Sequence, residues 1–404
     1  MLTFSDLRPF YPFDPPEALA SLPLRASDAS RPLLTEEELA AVAEATATHQ
    51  QDGGAWFAPC MAFLRELLAS LLAEPARNMA AILLRRYLIE EHQPWEVHLY
   101  APSLLELPGY EPGAVDLLFV TAALGYTLTV RKPPYDLNAE NIGAYIGYTR
   151  AYCDAHGGKW GINERSWNLL GAGGCMFVFH TLKFQPERFA PDFLVLKNGK
   201  SSKDGSPFVT LLRHGFGIAP DGSLTRDEAR SSAHAAPLRE TEEAYIAHEI
   251  LPDGRVWPEA RTFRKSEWTV ALDENSMMLG LHIPPRLPYT VEDHRRSMQE
   301  AYAFYAPFLK NVGEIKGFVC YSWLYSAQNK HILPPESNIL EIQRHVHLCP
   351  MLTELDESLM FLRPGSSLQQ RLADFRAAGN AYHVGYMYVP LEEAETFGSF
   401  KHEI

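Results

Sequence analysis

The apolar pattern of this 404-residue chain changes character after Trp167, and that change most limits what it can fold into. Before it, apolar residues recur at helical spacing. Thr35-Glu-Glu-Glu38 is a capping box ahead of Leu39-Ala-Ala-Val42, since Thr35 accepts from the amide three residues on while Glu38 reaches back. Trp56 to Leu72 carries Phe63, Leu64, Leu67, Leu68, Leu71 and Leu72 on one helical stripe, and Pro75 ends it. Met79 to Glu90 and Ala114 to Leu124 predict two more helices. Asn138 is the expected cap of a further helix through Tyr145, Tyr148 and Tyr152, stopped by Gly157-Gly158. The proline-rich arm from Pro9 to Pro32 is expected to lie extended.

After Trp167 the signals are those of strands. Cys175-Met-Phe-Val-Phe-His-Thr-Leu-Lys-Phe184 is β-branched and aromatic enough for one. Pro220-Asp-Gly222 and Pro252-Asp-Gly254 each read as a tight β-turn, because Pro presets the first torsion and Gly accepts positive φ. Thr225 to Glu243 is polar, a short helix or a loop, and Lys197 to Gly205 reads as an exposed loop. The last third alternates: strand Met277 to Ile283, helix Val291 to Leu309 capped by Thr290, strand Gly317 to Leu324, and helix Ser337 to His347. A short strand near Leu359 to Leu362, helix Ser367 to Ala378 and strand Val384 to Val389 complete it. Such alternation implies a sheet with parallel crossovers, α/β or α+β. The expected division is a helical domain over 1–157 and a sheet domain over 158–404, the latter expanded by loops and hairpins at about 197–265.

Composition excludes some function classes. Lys+Arg 36 against Asp+Glu 50 gives a net charge of −14, which argues against a chain-wide nucleic-acid or anionic-membrane surface. Five cysteines, at 60, 153, 175, 320 and 349, contain no CxxC pair, so reduced thiols and a cytoplasmic location are expected. No basic-then-apolar leader opens the sequence. The longest charge-free stretch, Ser166 to Leu182, is broken by Gly171, Gly173 and Gly174 and is too short to span a membrane.

Motif chemistry is sparse. Gly199-Lys-Ser201 looks like the tail of a phosphate loop, but the first glycine of that motif would fall at Leu194. His345, His347 and Cys349 lie close together, yet spacing of two does not put side chains on one helix face, and no metal site is expected there. Leu281-His-Ile-Pro-Pro-Arg-Leu-Pro288 ends a strand and delivers the chain to a helix N-terminus, whose free amides and partial positive charge suit a phosphate.

These residues resemble a known family. Leu279-Gly-Leu-His-Ile-Pro284, Phe318-Val-Cys-Tyr-Ser-Trp-Leu324 and Leu333-Pro-Pro-Glu-Ser-Asn-Ile339 look like the GNAT-like C-terminal domain of two-domain bacterial acyltransferases, which carry a helical N-acyltransferase domain ahead of it. Asn141-Ile-Gly143, Trp167, Thr181-Leu-Lys-Phe-Gln185, Ser366-Ser-Leu-Gln369 and Ala378-Gly379 fit the same pattern. The resemblance implies an α+β fold, a mixed sheet flanked by helices, and acyl transfer from acyl-CoA to a small-molecule amine. It implies neither a nucleic-acid nor a membrane partner.

In GNAT folds the fourth and fifth strands part and the pantetheine lies between them, so Met277 to Ile283 and Gly317 to Leu324 would be those strands. Ile283, Arg286, Leu287, Tyr289 and Thr290 would then meet the coenzyme, with Arg295 or Arg296 behind them. His282 or Glu336 would be the base, Tyr321 or Ser322 the acid for the leaving thiolate, and Asn338 an organiser at a helix start. One departure stands out. Where the family's loop reads R/Q-x-x-G-x-G/A, this chain has Pro284, Pro285 and Pro288, none with an N–H. That departure motivates a second reading, a GNAT-shaped ligand-binding protein without turnover.

Overall fold

The computed structural model describes residues 3–49, 54–91, 103–133, 135–199, 206–284, 289–354, 365–399 and 401–402. The chain forms two units, Met1–Val178 and Phe179–Ile404.

The first unit is helical, with α1 (Glu36–His49), α2 (Ala58–Leu72), α3 (Pro75–Arg85), α4 (Pro112–Tyr126), α5 (Tyr135–Ala155) and α6 (Arg165–Ala172). The capping box opens α1 as expected: the Glu38 amide donates to Thr35 Oγ1 at 3.2 Å and the Thr35 amide to Glu38 Oε2 at 2.8 Å. Helix α4 is apolar on all sides and buried almost throughout, the mark of a central core helix. Pro112–Arg131 is long and apolar enough to cross a membrane, but most of it is buried within the protein.

Arg86 holds the N-terminal arm: its Nη1 donates to the Pro23 carbonyl at 2.7 Å and to Asp28 at 3.2 Å, while Arg85 Nη2 beside it meets Glu38 Oε1 of α1 at 2.6 Å. That arm is not extended. It forms the short turns Arg8–Phe10, Glu17–Ala20 and Ala26–Ala29; Pro9 stands in the first of these and Pro16 just before the second, where proline's fixed φ suits a helix start. Asn138 does not cap a helix either. Helix α5 starts at Tyr135, and Asn138 is buried within it.

The second unit is α+β. Its strands are β1 (Leu182–Arg188), β2 (Phe193–Asn198), β3 (Phe208–Leu212), β4 (Ala244–Ile250), β5 (Val256–Arg264), β6 (Trp268–Leu272), β7 (Met277–His282), β8 (Ile315–Ser322), β9 (His347–Glu354) and β10 (His383–Pro390). Helices α7 (Val291–Phe308), α8 (Asn338–Gln343) and α9 (Ser367–Ala377) lie between the later strands. The main sheet runs β1-β7-β8-β10-β9, beyond Phe177–Phe179 at its edge. Strands β7 and β8, joined through α7, pair in parallel, whereas β1 with β7, β8 with β10 and β9 with β10 are antiparallel.

A second sheet, β5-β4-β3-β2-β6, packs on one face of the main sheet. Phe189, Phe193, Val195 and Phe208 share a core with Met278, Val319, Tyr386 and Tyr388, and Thr210 Oγ1 lies 2.7 Å from the Tyr388 hydroxyl. Helix α7 covers the other face, where the Tyr305 hydroxyl donates to the Phe184 carbonyl at 2.7 Å.

The described residues of the segment 197–265 are thus structured, while most of the loop expected over Lys197 to Gly205 lies outside the described residues. The segment supplies most of the second sheet and a small sheet of Gly217–Ile218, Leu224–Thr225 and Ala233–His234. Both Pro-Asp-Gly turns form, with Gly222 at φ 84° and Gly254 at φ 82°. The turn at Asp253 also covers the β9 edge, where the Leu348 amide donates to the Pro252 carbonyl at 2.9 Å.

Three local expectations are corrected. The run Cys175 to Phe184 is two strands, broken at His180, which takes φ 52° to turn the chain. The helix expected over Ser337 to His347 stops at Gln343, and His347 begins β9, because its ring is taken up by Tyr388 and Glu393 rather than by a helix end. The polar run 225–243 forms the short helical turn Glu228–Arg230 and two-residue strands. The strand expected near 359–362 lies outside the described residues.

Candidate active site at a parting of parallel strands

Strands β7 and β8 pair at Met277↔Ile315, Leu279↔Phe318 and Gly280↔Val319, and the pairing stops there. Each strand continues on its outer side. β7 stays paired with β1 to His282↔Lys183, and β8 stays paired with β10 to Ser322↔Gly385. Two parallel strands that keep their outer partners and lose each other must diverge, which leaves inward-facing N–H and C=O groups along the gap. In sheets of this kind ligands bind at the carboxyl ends of the strands, where this gap opens.

Helix α7 begins after this opening. Thr290 caps it: the Asp293 amide donates to Thr290 Oγ1 at 3.1 Å and the His294 amide to the Thr290 carbonyl at 3.0 Å. Among the described residues the Val291 and Glu292 amides have no such partner, so the helix end keeps the donors that suit an anion. His180 Nε2 lies 2.8 Å from Asp293 Oδ1 and braces this first turn.

The residues singled out from sequence fall into three groups. His282 and Tyr321 stand at the ends of the diverging strands, and by strand alternation both belong to the face of Gly280 and Val319. His282 is held mostly away from solvent, and burial, followed by the positive charge of Lys183, lowers its pKa to about 4. Its imidazole is therefore neutral near pH 7. Tyr321 is 48% exposed at the mouth of the gap. Ser322 belongs to the opposite face, where its hydroxyl accepts from the Leu324 amide at 3.3 Å and starts the turn Trp323–Tyr325.

Glu336 and Asn338 do not join that pair. Both are exposed, one in the loop before α8 and the other at its first residue, and it is Ser337 that caps the helix.

Of the coenzyme residues, Ile283 follows β7 directly into the gap. Thr290 is committed to the cap, and the Tyr289 hydroxyl is buried, with its ring edge-on to His294 at 4.6 Å. Arg295 and Arg296 are not free cations, since Glu292 pairs with the first at 2.6 Å and Glu300 with the second at 2.8 Å. Arg286 and Leu287 lie outside the described residues.

The fold also assembles a pair that motif reading passed over. Along β1, Lys183, Gln185 and Glu187 face the same way as His282, Gly280 and Met278 opposite them. Leu182 through Pro186 are all buried, polar members included. Gln185 Oε1 is buried and has no hydrogen-bond partner. The Glu187 carboxyl lies over Gly280, where a β-carbon would stand 2.0 Å from its Oε2. Burial raises the Glu187 pKa to about 7. The available signal was a strand carrying three polar residues at alternate positions inside a sheet domain.

The His345–Cys349 run is structural. His347 Nε2 lies 2.8 Å from Glu393 Oε2 and its ring stacks on Tyr388 at 4.7 Å, while Cys349 is core. Among the described residues no three His, Cys, Asp or Glu side chains gather as metal ligands.

The family model described as "GNAT-like C-terminal domain" matches residues 180–384. No curated protein matches the sequence. Among solved structures, an acyltransferase in complex with CoA and 10C-teicoplanin is similar at 14% identity, over 96% of this chain and 94% of that one, with a TM-score of 0.49. An acyltransferase in complex with decanoyl-CoA and teicoplanin is similar at 15% identity, over the same shares, with a TM-score of 0.46.

Proposed function

The chain belongs to the GNAT-like C-terminal domain family, and from that premise we propose that it transfers an acyl group from acyl-CoA to a small-molecule amine. The observation that carries this reading is the parting of β7 and β8 beyond Gly280↔Val319. A pantetheine arm is a short chain of amides, and it suits a gap whose walls offer unpaired backbone donors and acceptors. The Val291 and Glu292 amides at the start of α7 suit the coenzyme's pyrophosphate.

The chemistry follows from what surrounds the gap. A backbone N–H of β7 polarises the thioester carbonyl as negative charge develops on its oxygen. The amine enters on the face of His282 and Tyr321. His282, neutral at working pH, accepts a hydrogen bond from the amine, and Tyr321 supplies the proton that the leaving thiolate needs. Ser322, Glu336 and Asn338 take no part in this scheme.

Thiol release from acyl-CoA across a panel of amines tests the reading. His282→Ala is expected to slow turnover by ~100-fold. Full turnover in a His282→Ala, Glu336→Ala double variant would overturn the assignment of the amine face. A second reading, ligand binding without turnover, rests on Pro284, which ends the β7 segment without an N–H, and on the neutralised Arg295 and Arg296. Coenzyme A that stabilises the chain while no amine accepts would favour it.

A further inference from the structure

Glu187 is a half-buried residue whose carboxyl has neither a hydrogen bond nor an ion pair among the described residues, and Gln185, two positions away on the same face, has a buried, unpartnered Oε1. Unpartnered polar groups inside a sheet cost stability and call for a reason. Their position supplies one. Gly280 is the last residue of β7 paired with β8, and the Glu187 carboxyl lies directly over it. The carboxyl therefore sits at the vertex of the gap, on the face where His282 and Tyr321 flank its mouth. Only glycine at 280 leaves that space, because any β-carbon there would collide with Oε2.

Resting on the acyl-transfer reading, we propose that Glu187 is the proton-accepting residue for a primary amine that arrives as its ammonium ion, and that Gln185 Oε1 accepts a second ammonium N–H. One ammonium N–H bond breaks and an O–H bond forms on Glu187, freeing the nitrogen lone pair. That lone pair attacks the thioester carbon. When the intermediate collapses, the C–S bond breaks with its electron pair on sulfur. The second nitrogen proton passes to solvent, while Tyr321 delivers a proton to the thiolate and regains one from solvent. Glu187 returns its proton to solvent. The balance is one ammonium and one thioester to one amide, one thiol and one proton.

The surroundings suit the role. The titratable groups of the neighbouring strands that feel the Glu187 charge are Tyr386 on β10, on the same face, and Cys320 on β8, on the opposite face, both held neutral by burial. The Tyr386 hydroxyl accepts from the Ala190 amide at 3.2 Å. Lys183 lies four residues from Glu187 on the same strand, opposite His282, where it acts on that imidazole. Among the described residues no cation pairs with Glu187. An ammonium arriving through the gap would be its first counter-ion.

The test uses the full chain with an acyl-CoA and a primary amine, following thiol release from pH 5.5 to 9. In Glu187→Gln the expected result is a fall in kcat/KM of ~100-fold or more and loss of the acid limb near pH 7. Stabilisation by coenzyme A should be unchanged and thermal stability equal or higher. Glu187→Ala should recover part of its rate with added formate. Glu187→Gln at the wild-type rate with the wild-type pH profile would overturn the assignment alone. A wild-type chain that consumes no thioester with any amine would overturn the acyl-transfer reading and this assignment with it.

Discussion

Oε2 of Glu187 occupies the space that a β-carbon at Gly280 would need, 2.0 Å from where that atom would stand. The two residues lie on neighbouring strands, and their packing fixes where a carboxyl meets the parting of β7 and β8. Gly280→Ala should therefore displace the carboxyl rather than unfold the sheet, since the far end of a flexible side chain can give way. The expected outcome is a stability change within ~1 kcal/mol, typical of an ordinary point substitution, together with a loss of turnover approaching that of Glu187→Gln. Urea unfolding and thiol release on the same preparation check both.

Glu187 also shapes stability against pH. A folded-state pKa near 7, above the ordinary 4.5, means the folded chain binds more protons than the unfolded chain between those values. Its contribution to stability is therefore lost as pH rises from about 4.5 to about 7, by at most ~3 kcal/mol. The difference in unfolding free energy between Glu187→Gln and wild type should grow in favour of the variant across that range. A difference that stays flat would place the carboxyl in solvent.

The buried histidines act with the opposite sign. Burial lowers His282, His294 and His402 to about 4, so the unfolded chain takes up protons first as pH falls below about 6.5. Stability from these groups is whole above that pH and is lost toward pH 4. His294 Nδ1 faces the Thr290 carbonyl at 3.0 Å, an interaction an asparagine amide can imitate. His294→Asn should reduce the stability difference between pH 7 and pH 5, measured by chemical denaturation at each.

Asp253 holds the turn that covers the β9 edge. It is 3% exposed, pairs with Arg255, and has Lys330 Nζ at 3.6 Å. Removing it takes the acceptor from the Arg255 amide and side chain and the counter-charge from Lys330, so Asp253→Ala should cost ~1 kcal/mol. The same variant should increase hydrogen exchange at the Leu348 amide, which donates to Pro252.

Most of the fold was legible because periodicity and capping are local. The Thr35–Glu38 box, the Thr290 cap and both Pro-Asp-Gly turns act within a few residues, and each forms where the spacing put it. Parallel pairing of β7 and β8 followed from a strand, a helix and a strand in order. What failed depended on distant partners. The proline-rich arm is folded into short turns rather than extended, and Arg86, far along the chain, holds it there through the Pro23 carbonyl and Asp28. His347 starts a strand because Glu393 and Tyr388 receive its ring.

The site divided the same way. His282 and Tyr321 were legible as the ends of neighbouring strands, whereas exposed Glu336 and Asn338 lie beyond the next turn. Glu187 was not legible, because nothing in Pro186-Glu187-Arg188 tells that Gly280 will stand beside it.

The most direct measurement is the crystal structure of the chain with a non-hydrolysable acyl-CoA thioether. The predicted result is a pantetheine arm between β7 and β8, hydrogen-bonded to the backbone at 281–283, with its pyrophosphate at the Val291 and Glu292 amides. A thioether bound elsewhere, or a saturated crystal in which β7 and β8 pair through to Ser322, would contradict it.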